Sequence, residues 1–156
     1  MNLIKIYLLI FFYYFISFSI YAIEPPKNLI VQVIEESKIQ ANTQSKNLNL
    51  ISVKYSGWIF DSSISTKNYC AAKGEMFDSN ILEKFNHTQP FQFVLGKGIV
   101  IKGWDLGLRG MRIEEKRCLV IPSHLAYGNR RIGNIIQPNS TLIFEVKLID
   151  ILEVEK

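Results

Sequence analysis

Three segments of the chain alternate apolar and polar side chains with a period of two residues, and this alternation constrains the fold most. The segments read LNLISVKYSGW at 48–58, KRCLVIP at 116–122 and STLIFEVKLIDIL at 140–152. Successive side chains of a strand point to opposite faces, so each segment is predicted to be a strand with one buried face. In the last two segments the side chains expected to face the core are Leu119, Ile121, Leu142, Phe144, Val146 and Leu148.

Only one segment near the centre of the chain has a helical pattern. It reads IKGWDLGLRGM at 101–111, with Trp104 and Leu108 four residues apart. We expect about two helical turns there, weakened by glycine, which is a poor helix former. Several antiparallel strands and one short helix make an α+β domain. The length of 156 residues and the 48% hydrophobic content fit one compact domain.

The first 22 residues have the layout of a leader. Lys5 precedes an unbroken apolar and aromatic run at 6–16, and the small residues Ser17, Ser19 and Ala22 follow. This order is typical of a secretory signal peptide, with cleavage after Ser19 or Ala22. The alternative is an uncleaved N-terminal membrane anchor, because the apolar run approaches the length of a membrane span. In that case the protein would contact a membrane only through this leader.

Residues 23–47 and 48–152 differ in character. The first range begins with Pro25 and Pro26, continues with a short β-rich piece at 29–34, and ends in a polar run. We interpret it as a linker, an edge strand and a loop. The densely patterned range 48–152 is predicted to be the functional domain.

Most forms of conventional catalysis and cofactor binding lack a motif in this sequence. His87, His124, Cys70 and Cys118 are isolated from one another, whereas zinc sites normally use ligands at tight local spacings. The glycines of GKGIVIKG at 96–103 are not followed by the residues of a phosphate loop. Basic residues are scattered rather than clustered, so no nucleic acid is expected as a partner. We predict no metal and no cofactor, and both histidines are interpreted as surface or loop-packing residues.

The pairing of the two cysteines is left open by the sequence. An oxidising compartment allows a disulfide in an exported protein, and two cysteines have one intramolecular pairing. Cys118 alternates with Leu119 and is therefore expected on the outer face of its strand, while Cys70 lies in the segment STKNYCAAKG. Whether their Cα atoms approach within bridging distance depends on the folded structure.

Five motifs occur together in one order. They read VKYSG at 53–57, GEMFDS at 74–79, PFQFVLGKGIVIKGWDLGLRGM at 90–111, LAYG at 125–128 and IIQPNSTLIFEVKLIDI at 135–151. In this order and approximate spacing the chain resembles the FKBP-type peptidyl-prolyl cis-trans isomerases, the tacrolimus-binding family, in an exported bacterial form. The resemblance implies an FKBP-like curved five-stranded antiparallel sheet wrapped around a short helix, with a substrate pocket between them.

The resemblance also implies the residues of the pocket. The catalytic positions it assigns are Tyr55, Asp78, Ile101 through its backbone N–H, and Tyr127. The substrate-binding positions it assigns are Phe77, Phe91, Val100, Trp104, Ile136 and Phe144. A second FDSS occurs at 60–63, so the choice of Phe77 and Asp78 over Phe60 and Asp61 rests on Gly74 and on the distance to Pro90.

The activity implied is rotation of X-Pro bonds in exported proteins, which assists their folding. Such a pocket works by binding the twisted amide better than the planar one, so it needs no nucleophile. Proline-containing unfolded or nascent exported chains are the expected partners, and macrolides of the tacrolimus type the expected inhibitors. The alternative is a chaperone or binding module of the same fold with incidental isomerase activity. A secreted hydrolase would need a linked nucleophile and base. Export to a bacterial periplasm is the predicted location, and the alternatives are a membrane-anchored or a secreted protein.

Overall fold

A computed structural model of the protein describes residues 22–39 and 43–152. The predicted leader lies outside the described residues except for Ala22. Within the described ranges, no helix has the length and apolar character needed to cross a membrane.

The described residues form one antiparallel sheet and one short α-helix. The strands are β1 (Ile30–Glu35), β2 (Leu50–Phe60), β3 (Lys73–Ser79), β4 (Phe91–Val94), β5 (Lys116–Ile121) and β6 (Leu142–Leu152), and the helix α1 is Lys102–Gly107. Short 3-10 turns occupy Tyr69–Ala71, Glu83–Phe85 and Ser123–Leu125. This architecture confirms the predicted α+β class.

The strands follow the order β1-β5-β6-β2-β3, and β4 pairs with β2 as well. Strands β3 and β4 both pair with β2, β4 along its first half and β3 along its second half. The sheet has six strands rather than the five implied by the resemblance, because β1 pairs with β5 and extends the same sheet. The β-rich piece before the polar run is therefore one edge of this sheet.

The inner core lies between the sheet and α1, and the alternation of the sequence explains it. Ile51 and Val53 of β2 are fully buried there, and so are the predicted inward residues of β5 and of β6, apart from slight exposure of Phe144. Helix α1 approaches β5 closely through Gly103. A Cβ atom added at this glycine would lie 2.4 Å from Cγ2 of Ile121. The missing side chain therefore lets six helical residues pack directly onto the sheet.

A second cluster of apolar residues covers the outer face of the sheet, and we call it the outer cluster. Its buried members are Phe60, Cys70, Ala72, Cys118, Val120 and Ile143. The long segment between β2 and β3 folds back over this face and brings Cys70 to Cys118, with Cα atoms 6.2 Å apart and a disulfide between them. Cys118 lies on the outer face as its alternation with Leu119 predicted, and the structure answers the question of pairing.

Glu145 of β6 holds two lysines at the outer side of the sheet. It forms ion pairs with Lys73 of β3 and with Lys116 of β5, the latter at 2.9 Å. Burial alone would raise the pKa of Glu145, but hydrogen bonds and charges of the two lysines outweigh it and lower the pKa below its ordinary value of 4.5. The carboxylate thus joins three strands.

We expect the ion pairs of Glu145 with Lys73 and Lys116 to stabilise the fold above about pH 4.5. Their stabilising effect should be lost in acid. A lowered folded-state pKa means that stabilisation is complete above the unfolded-state value and disappears as the pH falls through the folded-state value. Glu145→Gln should therefore lower the free energy of unfolding by about 0.5 to 1 kcal/mol at pH 7. Urea unfolding at pH 3 to 7 measures this. A difference from wild type that persists unchanged at pH 3 would contradict the assignment.

Candidate active site

A cavity of about 510 Å³ opens between α1 and the inner face of the sheet. It is lined by nine of the ten residues assigned from the sequence, namely Tyr55, Phe77, Asp78, Phe91, Val100, Ile101, Trp104, Tyr127 and Phe144. The tenth, Ile136, is buried in the inner core and lines a neighbouring cavity of about 250 Å³. Phe77, Asp78 and Tyr127 line both cavities. Chain positions from 55 to 144 therefore meet in one place.

Five further residues complete the lining of the larger cavity: Gly98, Ile99, Lys102, Ala126 and Arg130. Each of these residues lies within three positions of a residue assigned from the sequence, so the same stretches of backbone bring them to the cavity. Lys102 and Arg130 are exposed at the rim. The sequence motifs did not assign them a role in the pocket.

Trp104 of α1 lies at the bottom of the cavity among other aromatic rings. It is only 4% exposed. Its ring centre lies 5.1 Å from that of Tyr55 and 5.2 Å from that of Phe144, both with edge-to-face geometry. Phe93 and Phe91 follow at 5.8 Å and 6.3 Å. Such packing fixes the indole as a flat apolar surface.

Asp78, at the end of β3, forms the polar edge of the cavity. The Tyr55 hydroxyl donates to its Oδ2 at 2.6 Å, and the Ser79 N–H donates to its Oδ1 at 2.8 Å. Nε2 of His87 also lies 2.8 Å from Oδ1. The carboxylate is therefore bound by three groups. No motif in the sequence linked His87 to Asp78, because the two are joined through an irregular loop.

The two tyrosine hydroxyls of the cavity keep their protons well above neutral pH. Burial raises the pKa of Tyr55, and its hydrogen bond to Asp78 raises it further. Burial also raises the pKa of Tyr127, with a smaller contribution from the charge of Asp78. Both side chains are therefore hydrogen-bond donors under physiological conditions.

Several donors at the cavity have no acceptor within residues 22–39 and 43–152. They include the hydroxyl of Tyr127, the buried indole Nε1–H of Trp104 and the backbone N–H of Ile101, which precedes the first residue of α1. All three residues line the cavity. A ligand carbonyl in the cavity would therefore meet donors that are not already occupied.

Asp105 is the single acid in the glycine-rich stretch at 91–111, and it holds a loop in place. Its Oδ1 accepts from the Gly96 N–H at 2.7 Å, and its Oδ2 accepts from the Gly98 N–H at 2.9 Å. Both glycines have positive φ values, +80° and +69°, which residues that carry a side chain rarely adopt. Glycine and Asp105 together shape the loop that brings Gly98 to the cavity.

The two FD pairs of the sequence lie at different places in the fold. Phe77 and Asp78 line the cavity. Phe60 belongs to the outer cluster, and Asp61 accepts hydrogen bonds from the backbone and hydroxyl of Ser63. The second pair therefore lies at the cavity and the first pair lies away from it.

The described residues contain no group of three or more side chains suited to hold a metal ion. The site combines an aromatic floor, donors without acceptors and one acid that is itself hydrogen-bonded. Such a site can bind an apolar group and orient adjacent carbonyls.

The described residues thus form a curled antiparallel sheet that holds an aromatic cavity against one short helix. The family model described as FKBP-type peptidyl-prolyl cis-trans isomerase matches residues 41–149, and the chain belongs to this family. The match covers most of the described residues and includes every residue that lines the cavity.

Curated relatives agree with this membership. The chain is 42% identical over 129 residues to FK506-binding protein 2B of Rhizopus delemar, covering 82% of this chain and 54% of that protein. It is 53% identical over 83 residues to FK506-binding protein 1A of Neurospora crassa, covering 53% and 66%. It is 41% identical over 123 residues to FK506-binding protein 2 of Kluyveromyces lactis, covering 79% and 76%. The chain thus spans about half the length of the first of these relatives. All three are eukaryotic, and the predicted bacterial form stays a prediction.

Proposed function

We propose that the protein is a peptidyl-prolyl cis-trans isomerase that acts on X-Pro bonds of exported polypeptides and assists their folding. The observation that supports this most is the cavity itself, in which an aromatic floor lies beside hydrogen-bond donors without acceptors, among them the Tyr127 hydroxyl and the Ile101 N–H. Membership of the isomerase family adds to this support. The activity then needs neither a cofactor nor a nucleophile.

The cavity favours the twisted amide for an electrostatic reason. Rotation about an X-Pro bond is slow because it must break amide resonance, at a cost of about 18 to 20 kcal/mol. The twisted amide has lost this resonance and is less polar, so an apolar site with little water stabilises it relative to the planar form. The proline ring would lie on Trp104, and Ile101 N–H and Tyr127 O–H would donate to substrate carbonyls.

Export is the second part of the proposal. The leader-like residues 1–22 motivate it, and the Cys70–Cys118 disulfide supports it because such bonds persist mainly in oxidising compartments. A periplasm is the compartment predicted from the sequence. N-terminal sequencing of the mature protein from fractionated cells tests this, and a full-length chain recovered from the cytoplasm would contradict it.

Turnover of a proline peptide tests the activity directly. We expect the protein to accelerate cis-trans exchange of an Ala-Leu-Pro-Phe peptide, measured by exchange spectroscopy. A macrolide of the tacrolimus type should block this exchange by filling the cavity.

Asp78→Ala should weaken turnover of the same peptide without abolishing it. Suppression of aggregation of an unfolded protein, without turnover, would instead support the chaperone alternative.

Tyr127→Phe should lower kcat/KM by about tenfold or less. One net hydrogen bond is worth about 0.5 to 1.5 kcal/mol, and the variant removes the hydroxyl while keeping the ring. Tyr69→Phe is the matched control, because Tyr69 packs against the outer cluster. A loss of 100-fold or more would indicate proton transfer by Tyr127 instead.

A further inference from the structure

His87 lies just outside the cavity and contacts the one acidic side chain that lines it among the described residues. Its Nε2 is 2.8 Å from Asp78 Oδ1. An ionised carboxylate accepts hydrogen bonds and donates none, so Nε2 of His87 is the donor. Oδ1 thereby receives two donors, from His87 and from the Ser79 backbone, while Oδ2 receives the Tyr55 hydroxyl. Together these contacts fix both oxygens of the carboxylate.

The loop that carries His87 is tied to β2 by side chains rather than by strand pairing. Asn80 is 1% exposed, and its Nδ2 donates to the carbonyls of Val53 and Gln89 at 3.0 Å each. Its Oδ1 accepts from the backbone N–H of Tyr55 at 2.6 Å. Lys54 donates to the carbonyl of Thr88, the residue after His87. His87 is therefore held near Asp78 although its side chain is 47% exposed.

The contact reaches the floor of the cavity through two further side chains. Asp78 holds the Tyr55 hydroxyl, and the ring of Tyr55 packs edge-on against Trp104. Asp78 also places a negative charge near the Tyr127 hydroxyl. A change in the orientation of Asp78 would therefore alter one wall of the cavity and the field at one of its donors.

We propose that His87 is a positioning residue for the isomerase site, which orients the Asp78 carboxylate and through it Tyr55. This role rests on the proposed function. His87 does not line the cavity, so it acts on the substrate only through Asp78. The role requires a hydrogen-bond donor at the position of Nε2. Another side chain that supplies a donor at that position should therefore restore part of the activity.

The test compares two variants of His87 with a matched control. His87→Leu removes the donor, whereas His87→Gln keeps an N–H at a similar distance from the backbone. We expect His87→Leu to lower kcat/KM for a neutral proline peptide by about two- to fivefold, the range for one partly exposed polar contact. His87→Gln should lose less. His124→Leu, which changes the exposed second histidine, should leave kcat/KM unchanged.

A double-mutant cycle then identifies the route of the effect. In an Asp78→Ala background, which lacks the acceptor, replacing His87 by Leu should have little further effect. Independently of turnover, ¹⁵N spectra at pH 8 should show the Nε2–H tautomer of His87, and Asp78→Ala should shift the ring signals of His87 but not those of His124.

The outcomes separate this inference from the proposed function. Equal kcat/KM for wild type, His87→Leu and His87→Gln would overturn the positioning role while leaving the isomerase activity established. Ring signals of His87 that do not respond to Asp78→Ala would also overturn it. Absence of turnover in the wild type would overturn the proposed function and this role together, even with the Nε2–H contact observed.

Discussion

Removal of the Cys70–Cys118 disulfide should lower the free energy of unfolding by about 2 to 5 kcal/mol. The two cysteines are 48 residues apart in the chain, so the bond restricts a long loop in the unfolded state. It also anchors the segment between β2 and β3 to the outer cluster, where Cys118 is fully buried. Urea unfolding of the purified protein, with and without a thiol reductant, measures the change.

The control for this prediction is the double variant Cys70→Ala with Cys118→Ala. Its unfolding should not respond to the reductant, and its stability should be close to that of the reduced wild type. Turnover should be retained under conditions in which the variant stays folded, because the cavity opens on the opposite face of the sheet from the disulfide. Identical unfolding midpoints for oxidised and reduced wild type would contradict the stabilising role.

The strands that carry the site were predictable because their environment is regular. In β6 alternate residues face the inner core, so the two-residue spacing of apolar residues such as Leu142 and Leu148 is enough to predict the buried face. Helix α1 was harder to predict, since Gly103 weakens helical propensity. The structure shows why glycine is there: a side chain would collide with Ile121. Glycine lowers the helix propensity at this position, but it allows close packing between helix and sheet.

The contacts that the sequence did not predict depend on irregular segments. Cys70 reaches Cys118 only because the loop after β2 folds over the outer face, and no periodicity encodes that path. His87 reaches Asp78 because Asn80 ties its loop to β2. The pocket residues themselves followed from the resemblance to a family. Their apolar patterns alone, helical for Trp104 and alternating for Phe144, would have placed both in an ordinary core.

Trp104→Leu should reduce kcat/KM by roughly 10- to 100-fold. Covering an apolar side chain completely is worth about 1.5 to 3 kcal/mol, and each 1.4 kcal/mol corresponds to a factor of ten. Leucine keeps the site apolar but removes the flat surface on which a proline ring would lie. It also removes the edge-to-face contacts with Tyr55 and Phe144, so those walls would lose support.

Trp58→Leu separates this effect from a general loss of stability. Trp58 is the other tryptophan of the chain, half-buried against the outer cluster, with the Lys73 ammonium 4.5 Å from its ring centre. Its replacement should lower the unfolding midpoint and leave kcat/KM near the wild-type value. Circular dichroism confirms that both variants are folded before turnover is measured. Of the two tryptophans, Trp104 lines the cavity and Trp58 does not. Equal losses of turnover in the two folded variants would therefore mean that the substrate binds elsewhere.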